Sequence, residues 1–319
     1  MKEIGGYFGL EKLVSQEYYS DLKALNTARN ALIYILKARK ARKIYLPHFL
    51  CGSVSAMCEK EGFEAEFYHI DADFMPLFDN NLKEDEWLYI VNYYGQLDNG
   101  CVAGMKKKYG NIIFDNVQAF FQKPAEGVDT VYSCRKFFGV PDGAYASTDA
   151  VLEEKLDTDI SMNRLRHLMG RFEMNSASDY YDDFKSNDHA FYDTELREMS
   201  AFTHNILGAV DYEAVIEKRN RNFMILSGYL EGINGLTLKT PVGPYAYPFY
   251  CRKGMEIKKM LAQKKIFVAT LWPDVLKMDD TTEKDYAENI LPLPCDQRYD
   301  EEDMKKIIKE LEQCLTAIN

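Results

Sequence analysis

The sequence predicts an α/β protein: a mainly parallel central sheet sandwiched by helices, followed by a smaller C-terminal α+β domain. Three observations predict it. Strand-like apolar runs alternate with helix-like runs through the first 150 residues, the pattern of parallel strands joined by helical crossovers. A hydrophobic fraction of 46% over 319 residues is enough for a substantial core. After a long helical run that begins at Asp211, the order of elements changes and ends in an amphipathic helix.

The elements follow in order. "TARNALIYILKARKA" places Ala31, Leu32, Ile35 and Leu36 on one side and reads as a helix. "KIYLPHF" is a short strand ending near Pro47, and "SVSAMCEKEG" is a helix closed by Gly62. "FEAEFYHID" and "EWLYIVNYYG" are strands, and "VAGMKKKYG" is a helix closed by Gly110. "NIIFDN", "DTVYSC" and "GAYAST" read as further strands. Residues 150–205 change character: "SASDYYDDFKSNDHAFYD" is acidic, polar and tyrosine-rich, and reads either as a solvated loop or as a flap over a pocket. "DYEAVIEKRNRNFMILSGYL" is a long helix linking two domains. Then come a proline-broken strand region, "LKTPVGPYAYPFYC", the helix "MEIKKMLAQKKI" and the strand region "ILPLPCDQRY". The last helix aligns Met304, Ile307, Ile308, Leu311, Leu315 and Ile318, with Asp300 as its N-cap. The expected boundary lies near residue 205, giving a large domain over 1–205 and a small one over 206–319.

Composition narrows the function. A net charge of −11 argues against a nucleic-acid partner, which needs a basic face, and offers no polybasic signal for a membrane. The seven cysteines form no CxxC pair and the five histidines are scattered, so no metal site is expected and the thiols read as buried and reduced. "MKEIGGYFGLEKLV" has no long apolar run, which reads as neither signal peptide nor anchor and points to the cytoplasm.

Four stretches carry chemistry, each where a strand hands over to a loop or helix. In "FDNVQAFF", Asp115 follows Ile112, Ile113 and Phe114; a carboxylate there is costly unless a cation pairs with it. A helix cap or a structural ion pair is the plain alternative. In "YSCRKFFGVPDGAYAS", Ser133 and Lys136 share one tight turn after a strand, and Arg135 is a neighbouring cation that would lower the pKa of a desolvated Lys136. A solvated lysine is the plain alternative. In "LNTARNAL", Asn26 and Thr27 are cap-type residues at a helix start whose free N–H groups suit a phosphate, although most such starts bind nothing. "YLPHFLC" is another strand-to-helix corner, and its Phe49 reads as core or as a cofactor contact. As a set these features call for a ligand with a cationic ring nitrogen for Asp115, an aldehyde for Lys136 and a phosphate for the helix start. Pyridoxal phosphate carries all three. No GxGxxG follows the first strand, which argues against a nicotinamide-dependent oxidoreductase.

On these motifs the chain resembles the DegT/DnrJ/EryC1/StrS aminotransferases, which have the fold type I architecture of aspartate aminotransferase. "LNTARNAL" is similar to the family's phosphate corner, "YLPHF" to its Pro-x-Phe segment and "VNYYGQ" to its strand ending in Gly. "DNVQAF" is similar to its Asp-x-x-Gln/His-Ala motif, and "LPLPCDQRYDEEDMKKI" to its closing segment. The resemblance implies a cytoplasmic, homodimeric, pyridoxal-phosphate-dependent transaminase that moves an amino group, from glutamate as donor, to a nucleotide-linked keto sugar. It implies that Lys136 is the Schiff-base lysine, that Asp115 holds the pyridine nitrogen protonated and that Gln118 lies at the ring's phenolic oxygen. Ser133 and the backbone of Ala28 and Arg29 would bind phosphate. The ring-stacking aromatic of the family falls at Cys51, which leaves either Phe49 to take its place or no stacking at all. Ala28-Arg29 replaces the family's Gly-Thr, and Ser133 to Lys136 is a shorter spacing than the family's. These departures keep open a non-catalytic or regulatory ligand-binding protein of the same fold.

Overall fold

A computed structural model describes residues 7–13 and 16–318. The apolar runs assemble into an eight-stranded sheet of β1 (Lys23–Leu25), β2 (Lys43–Pro47), β3 (Glu64–Ile70), β4 (Pro76–Leu77), β5 (Glu86–Val91), β6 (Ile112–Asp115), β7 (Asp129–Ser133) and β8 (Ala144–Ser147). Their spatial order is β1-β8-β7-β6-β5-β2-β3-β4. β3, β2, β5, β6 and β7 run parallel. β8 returns antiparallel beside β7, with β1 antiparallel to it, and β4 is antiparallel to β3. Every residue of β2, β5, β6 and β7 is buried, as expected for parallel strands covered on both faces. The fold class read from the sequence is the one observed.

Helices α1 (Ala28–Ala38), α2 (Gly52–Lys60) and α3 (Asn99–Tyr109) connect the parallel strands. α1 starts where Thr27 Oγ1 accepts the Asn30 N–H, and it buries a continuous run from Asn30 to Leu36. α3 starts on Asp98, which accepts the Cys101 N–H, and stops at Gly110, whose φ of 77° suits only glycine well.

The segment over 150–205 is not a plain loop. It holds α4 (Arg166–Met174), α5 (Tyr181–Ala190) and α6 (Ala201–Leu207). The charge pattern that made it look solvated also favours a helix at α5, where Asp182 and Asp183 occupy the positive N-terminal turn. Beyond it lie α7 (Tyr212–Leu230), β9 (Tyr247–Tyr250), α8 (Gly254–Gln263), α9 (Thr282–Asn289), β10 (Ile290–Leu293) and α10 (Glu301–Ile318). β9 and β10 pair antiparallel. Asp300 caps α10 by accepting the Glu302 and Asp303 N–H groups, and Met304, Ile307, Ile308 and Leu311 face the core as expected. β1, α6 and α9 had no clear signal in the sequence.

The two largest apolar clusters serve the two sheets. One surrounds the eight strands; the other packs α7, α8 and α10 on β9 and β10. Trp272, Val275, Tyr286 and Ile290, late in the chain, join the first cluster, so the C-terminal third returns to cover the larger sheet. The thiols differ from expectation: all seven are free, but Cys51 is exposed and Cys101 and Cys251 are half-buried.

Candidate cofactor site

The ends of β5, β6 and β7 and the start of α1 open on one cavity of about 270 Å³. Ala28, Arg29, Cys51, Asp115, Ser133 and Lys136 all line it. Ligands in open α/β sheets sit beyond the carboxyl ends of the strands, and this cavity does.

Asp115 closes β6 and is 2% exposed. Its Oδ1 accepts the Val117 N–H at 2.7 Å and its Oδ2 accepts the Tyr89 hydroxyl at 2.7 Å. Burial pushes its pKa above the usual carboxylate value; the Tyr89 hydrogen bond, the Lys136 charge and the Val117 N–H pull against that. No guanidinium or ammonium forms an ion pair with it within 4 Å among the described residues. The carboxylate faces the cavity from a low-dielectric floor, which favours a cation there.

The turn after β7 explains the two phenylalanines that follow two cations. The N–H groups of Phe137 and Phe138 return to the Cys134 carbonyl at 3.0 and 2.9 Å. Their rings are buried in a third apolar cluster with Phe120 and Phe121, which anchors the turn and leaves Lys136 exposed towards the cavity. Lys136 Nζ lies 5.7 Å from the centre of the Tyr245 ring. Gly143 lets the start of β8 approach both this turn and α1. Its φ is +114°, its N–H donates to the Asn26 carbonyl at 2.7 Å, and a Cβ there would meet Thr203 Cγ2 at 2.9 Å.

The opposite end is cationic. Arg29 and Arg135 both line the cavity beside the free N–H groups that begin α1. Arg135 pairs with Asp188 of α5 at 3.2 Å, and its guanidinium lies 4.6 Å from the centre of the Phe191 ring. Burial lowers the Arg135 pKa; Asp188 opposes this, and the Arg29 and Arg164 charges add to it. Arg29 lies over Tyr192 at 5.1 Å. Arg135, which the sequence offered only as a modulator of Lys136, is thus a cavity wall in its own right. α5, read as loop or flap, supplies the wall residue Asp188, and Tyr192 just beyond α5 supplies another.

Flat side walls come from Val117, two residues after Asp115, and from Trp272. Phe49 is buried but does not line the cavity; its ring packs on Trp272 at 4.4 Å and on Tyr93 at 5.2 Å. Cys51 does line it, so the aromatic surface near Cys51 belongs to Trp272, whose φ of 50° is uncommon for a non-glycine residue. Gln118 is not among the lining residues. Its Oε1 accepts the Tyr94 N–H at 2.8 Å, while its Nε2 is buried without a partner among the described residues. A buried orphan donor costs about 1–3 kcal/mol, and Gln118 bears that cost one layer behind the cavity wall.

The residues present fit pyridoxal phosphate. The cavity, about 270 Å³, is just below the ~300–1,000 Å³ range usual for small-molecule sites. It has a carboxylate floor, an amine at one side, guanidinium groups and a helix start at the other, and apolar walls between. A larger cavity, about 890 Å³, is lined by residues 10–13, by Gln16, Glu17 and Tyr19, and by α6, and contains none of Asp115, Ser133 and Lys136. Among the described residues no group of His, Cys, Asp and Glu could hold a metal ion, and no helix is long and apolar enough to cross a membrane.

No family model matches the chain, and no curated protein matches it. Solved structures do. A DegT DnrJ EryC1 StrS aminotransferase from Brucella abortus aligns with a TM-score of 0.61 at 15% identity, covering 92% of this chain and 85% of its own. The aminotransferase TlmJ from Streptoalloteichus hindustanus aligns at 0.61 and 14% identity, over 93% of this chain and 86% of its own. NtdA from Bacillus subtilis, solved with bound cofactor PMP, aligns at 0.64 and 12% identity, over 92% of this chain and 73% of its own. The chain shares the fold of these aminotransferases.

Proposed function

We infer that the chain is a pyridoxal-phosphate-dependent aminotransferase acting on a keto sugar. The observation that carries this reading is the convergence of Asp115, Lys136 and the α1 start with Arg29 and Arg135 on one cavity. The shared fold with sugar aminotransferases supports the substrate class, and a nucleotide-linked sugar as acceptor and glutamate as donor complete the reading.

Pyridoxal phosphate supplies, when bound, a carbonyl that captures amines and a ring that draws electrons from the substrate carbon. Lys136 Nζ would be the amine that holds that carbonyl, and the general base and acid that carries a proton to and from the substrate carbon. Asp115 orients the pyridine nitrogen and keeps it protonated. Ser133, the Ala28 and Arg29 N–H groups and the Arg29 and Arg135 guanidinium groups hold the phosphate. Trp272 and Val117, apolar lining of the cavity, would keep water from the bound ring.

Exposed Met169, Phe172, Met174, Tyr181 and Phe184 on α4 and α5 support a homodimer that covers this face. The division into a cofactor-holding unit over 1–205 and a small unit over 206–319, and a cytoplasmic location, belong to the same reading.

The test is borohydride reduction of the cofactor-loaded chain followed by peptide mapping. A pyridoxyl mass on the peptide containing Lys136 is expected. A label on another lysine, or none, overturns the assignment. Cofactor uptake without amino transfer to any keto sugar would instead favour a non-catalytic binder, the reading to which the exposed Cys51 at the cavity wall lends weight. Light scattering at micromolar protein checks the dimer.

A further inference from the structure

Tyr89 is a buried side chain at the cavity for which the reading above has no use. It stands in β5, two residues before Val91, the residue whose Cα pairs with that of Asp115 in the adjacent strand. Residues two apart in a strand share a face of the sheet, so the register brings the phenol to the carboxylate. Tyr89 Oη donates to Asp115 Oδ2 at 2.7 Å, and both residues line the cavity. The Tyr89 carbonyl is fixed in turn by the Tyr68 hydroxyl at 2.6 Å. Burial, then the Asp115 charge, raises the Tyr89 pKa well above its usual value, so the phenol remains a neutral donor.

A carboxylate has about four lone-pair positions on its two oxygens. Val117 N–H takes one on Oδ1 and Tyr89 takes one on Oδ2. The remaining positions are open to a donor in the cavity. The other groups that act on Asp115 are Lys136, which favours the ionised form, and the phenols of Tyr68 and Tyr93, which are neutral. Tyr89 is therefore the one side chain that donates a hydrogen bond to Asp115 among the described residues.

We propose that Tyr89 is a positioning residue: its hydroxyl holds Asp115 ionised and aimed into the cavity, so that a cationic aromatic nitrogen meets a carboxylate and not a carboxylic acid. The nature of the ligand rests on the reading under Proposed function; the effect of Tyr89 on Asp115 does not.

The test has two arms. In the cofactor-free chain, carbon-13 NMR follows the Asp115 carboxyl through a pH titration, with Asp115→Asn to assign the signal. Tyr89→Phe removes one oxygen and keeps the ring; the Asp115 midpoint should rise by about one unit or more. Site-specific 3-fluorotyrosine at position 89, a stronger donor that keeps the shape, should lower it, and this arm stands even where Tyr89→Phe folds poorly. In the loaded chain, nitrogen-15-labelled pyridoxal phosphate should show the ring nitrogen moving from the pyridinium position towards neutral pyridine in Tyr89→Phe, with kcat falling more than KM rises. An Asp115 midpoint that ignores both changes overturns the proposal. So does a midpoint that moves while the ring-nitrogen signal stays. A wild-type chain that takes up no pyridoxal phosphate, with the Asp115 midpoint still answering to Tyr89, leaves the coupling standing and overturns the cofactor reading instead.

Discussion

At the floor of the cavity a single carboxylate, Asp115, is buried and held by a phenol and an amide. At the far end two guanidinium groups, Arg29 and Arg135, stand at a helix start and lean on the aromatic rings of Tyr192 and Phe191. The floor is deep, has no ion-pair partner among the described residues and sits on buried strands. The far end is shallower, and Asp188, its carboxylate partner among the described residues, is about half exposed on α5. Each end therefore carries more charge than its close partners among the described residues balance, one carboxylate at the floor and two guanidinium groups against one aspartate at the far end, and the signs are opposite. One small molecule that is cationic at one end and anionic at the other would settle both. The two ends should also fail differently: the floor through chemistry, the far end through affinity.

The largest expected effect is at the floor. Asp115→Ala should keep the fold and lose amino transfer by on the order of 10²–10³-fold or more, because the electron-drawing power of the ring depends on a charge held in a water-poor site. Steady-state turnover at saturating cofactor measures it. Near-normal turnover would make Asp115 purely structural and remove the contrast between the ends.

At the far end, Arg135→Gln should weaken cofactor binding about 10- to 100-fold, the worth of one hydrogen bond to a charged group, and leave turnover of the loaded chain within a few-fold. Wild-type binding should weaken as salt rises, and the variant less steeply. Equilibrium titration at two ionic strengths reads both. A variant that loses turnover and keeps affinity would reverse the roles of the two ends.

Between the ends, Trp272→Leu should weaken cofactor binding about 2- to 10-fold, in line with the ~0.5–1.5 kcal/mol of an aromatic contact, and Trp272→Phe should recover most of it. Cofactor titration of the two variants checks this. Equal affinity in all three chains would mean that Trp272 only packs on Phe49.

The same contrast explains what could be read in the sequence. Asp115, Ser133, Lys136 and the Ala28-Arg29 corner sit at strand ends or helix starts, positions that local patterns mark. Tyr89 lies inside an unbroken apolar strand, and only the β5–β6 register, fixed by tertiary pairing, shows that it meets Asp115. Trp272 is far from Lys136 in sequence, and no local signal ties a residue in the connection between the two strands of the small sheet to a cavity on the large one. Phe49 illustrates the converse: the corner looked like a ring contact, but the aromatic packs one layer behind the wall. α5 was obscured because its tyrosines and aspartates suit a loop as well as a solvated helix that lends one aspartate to a buried arginine.

The smallest expected effect is a pH dependence, and it tests the floor alone. Burial raises the Asp115 pKa in the folded chain above its unfolded value of about 3.9. A raised acid is bound to its proton more tightly in the folded state. Its contribution to stability is therefore fully present below the unfolded pKa and declines as pH rises through the folded pKa, where the buried group must ionise. Asp115→Asn keeps an acceptor for the Tyr89 hydroxyl and does not titrate. In the cofactor-free chain, the melting temperature of Asp115→Asn relative to wild type should therefore climb as pH rises above about 4 and level off above the folded pKa. Thermal melts at half-unit pH steps measure the difference. A difference that is flat across that range, or that falls with pH, would mean that Tyr89, Val117 and Lys136 together outweigh burial, and that the floor of the cavity is already balanced without a ligand.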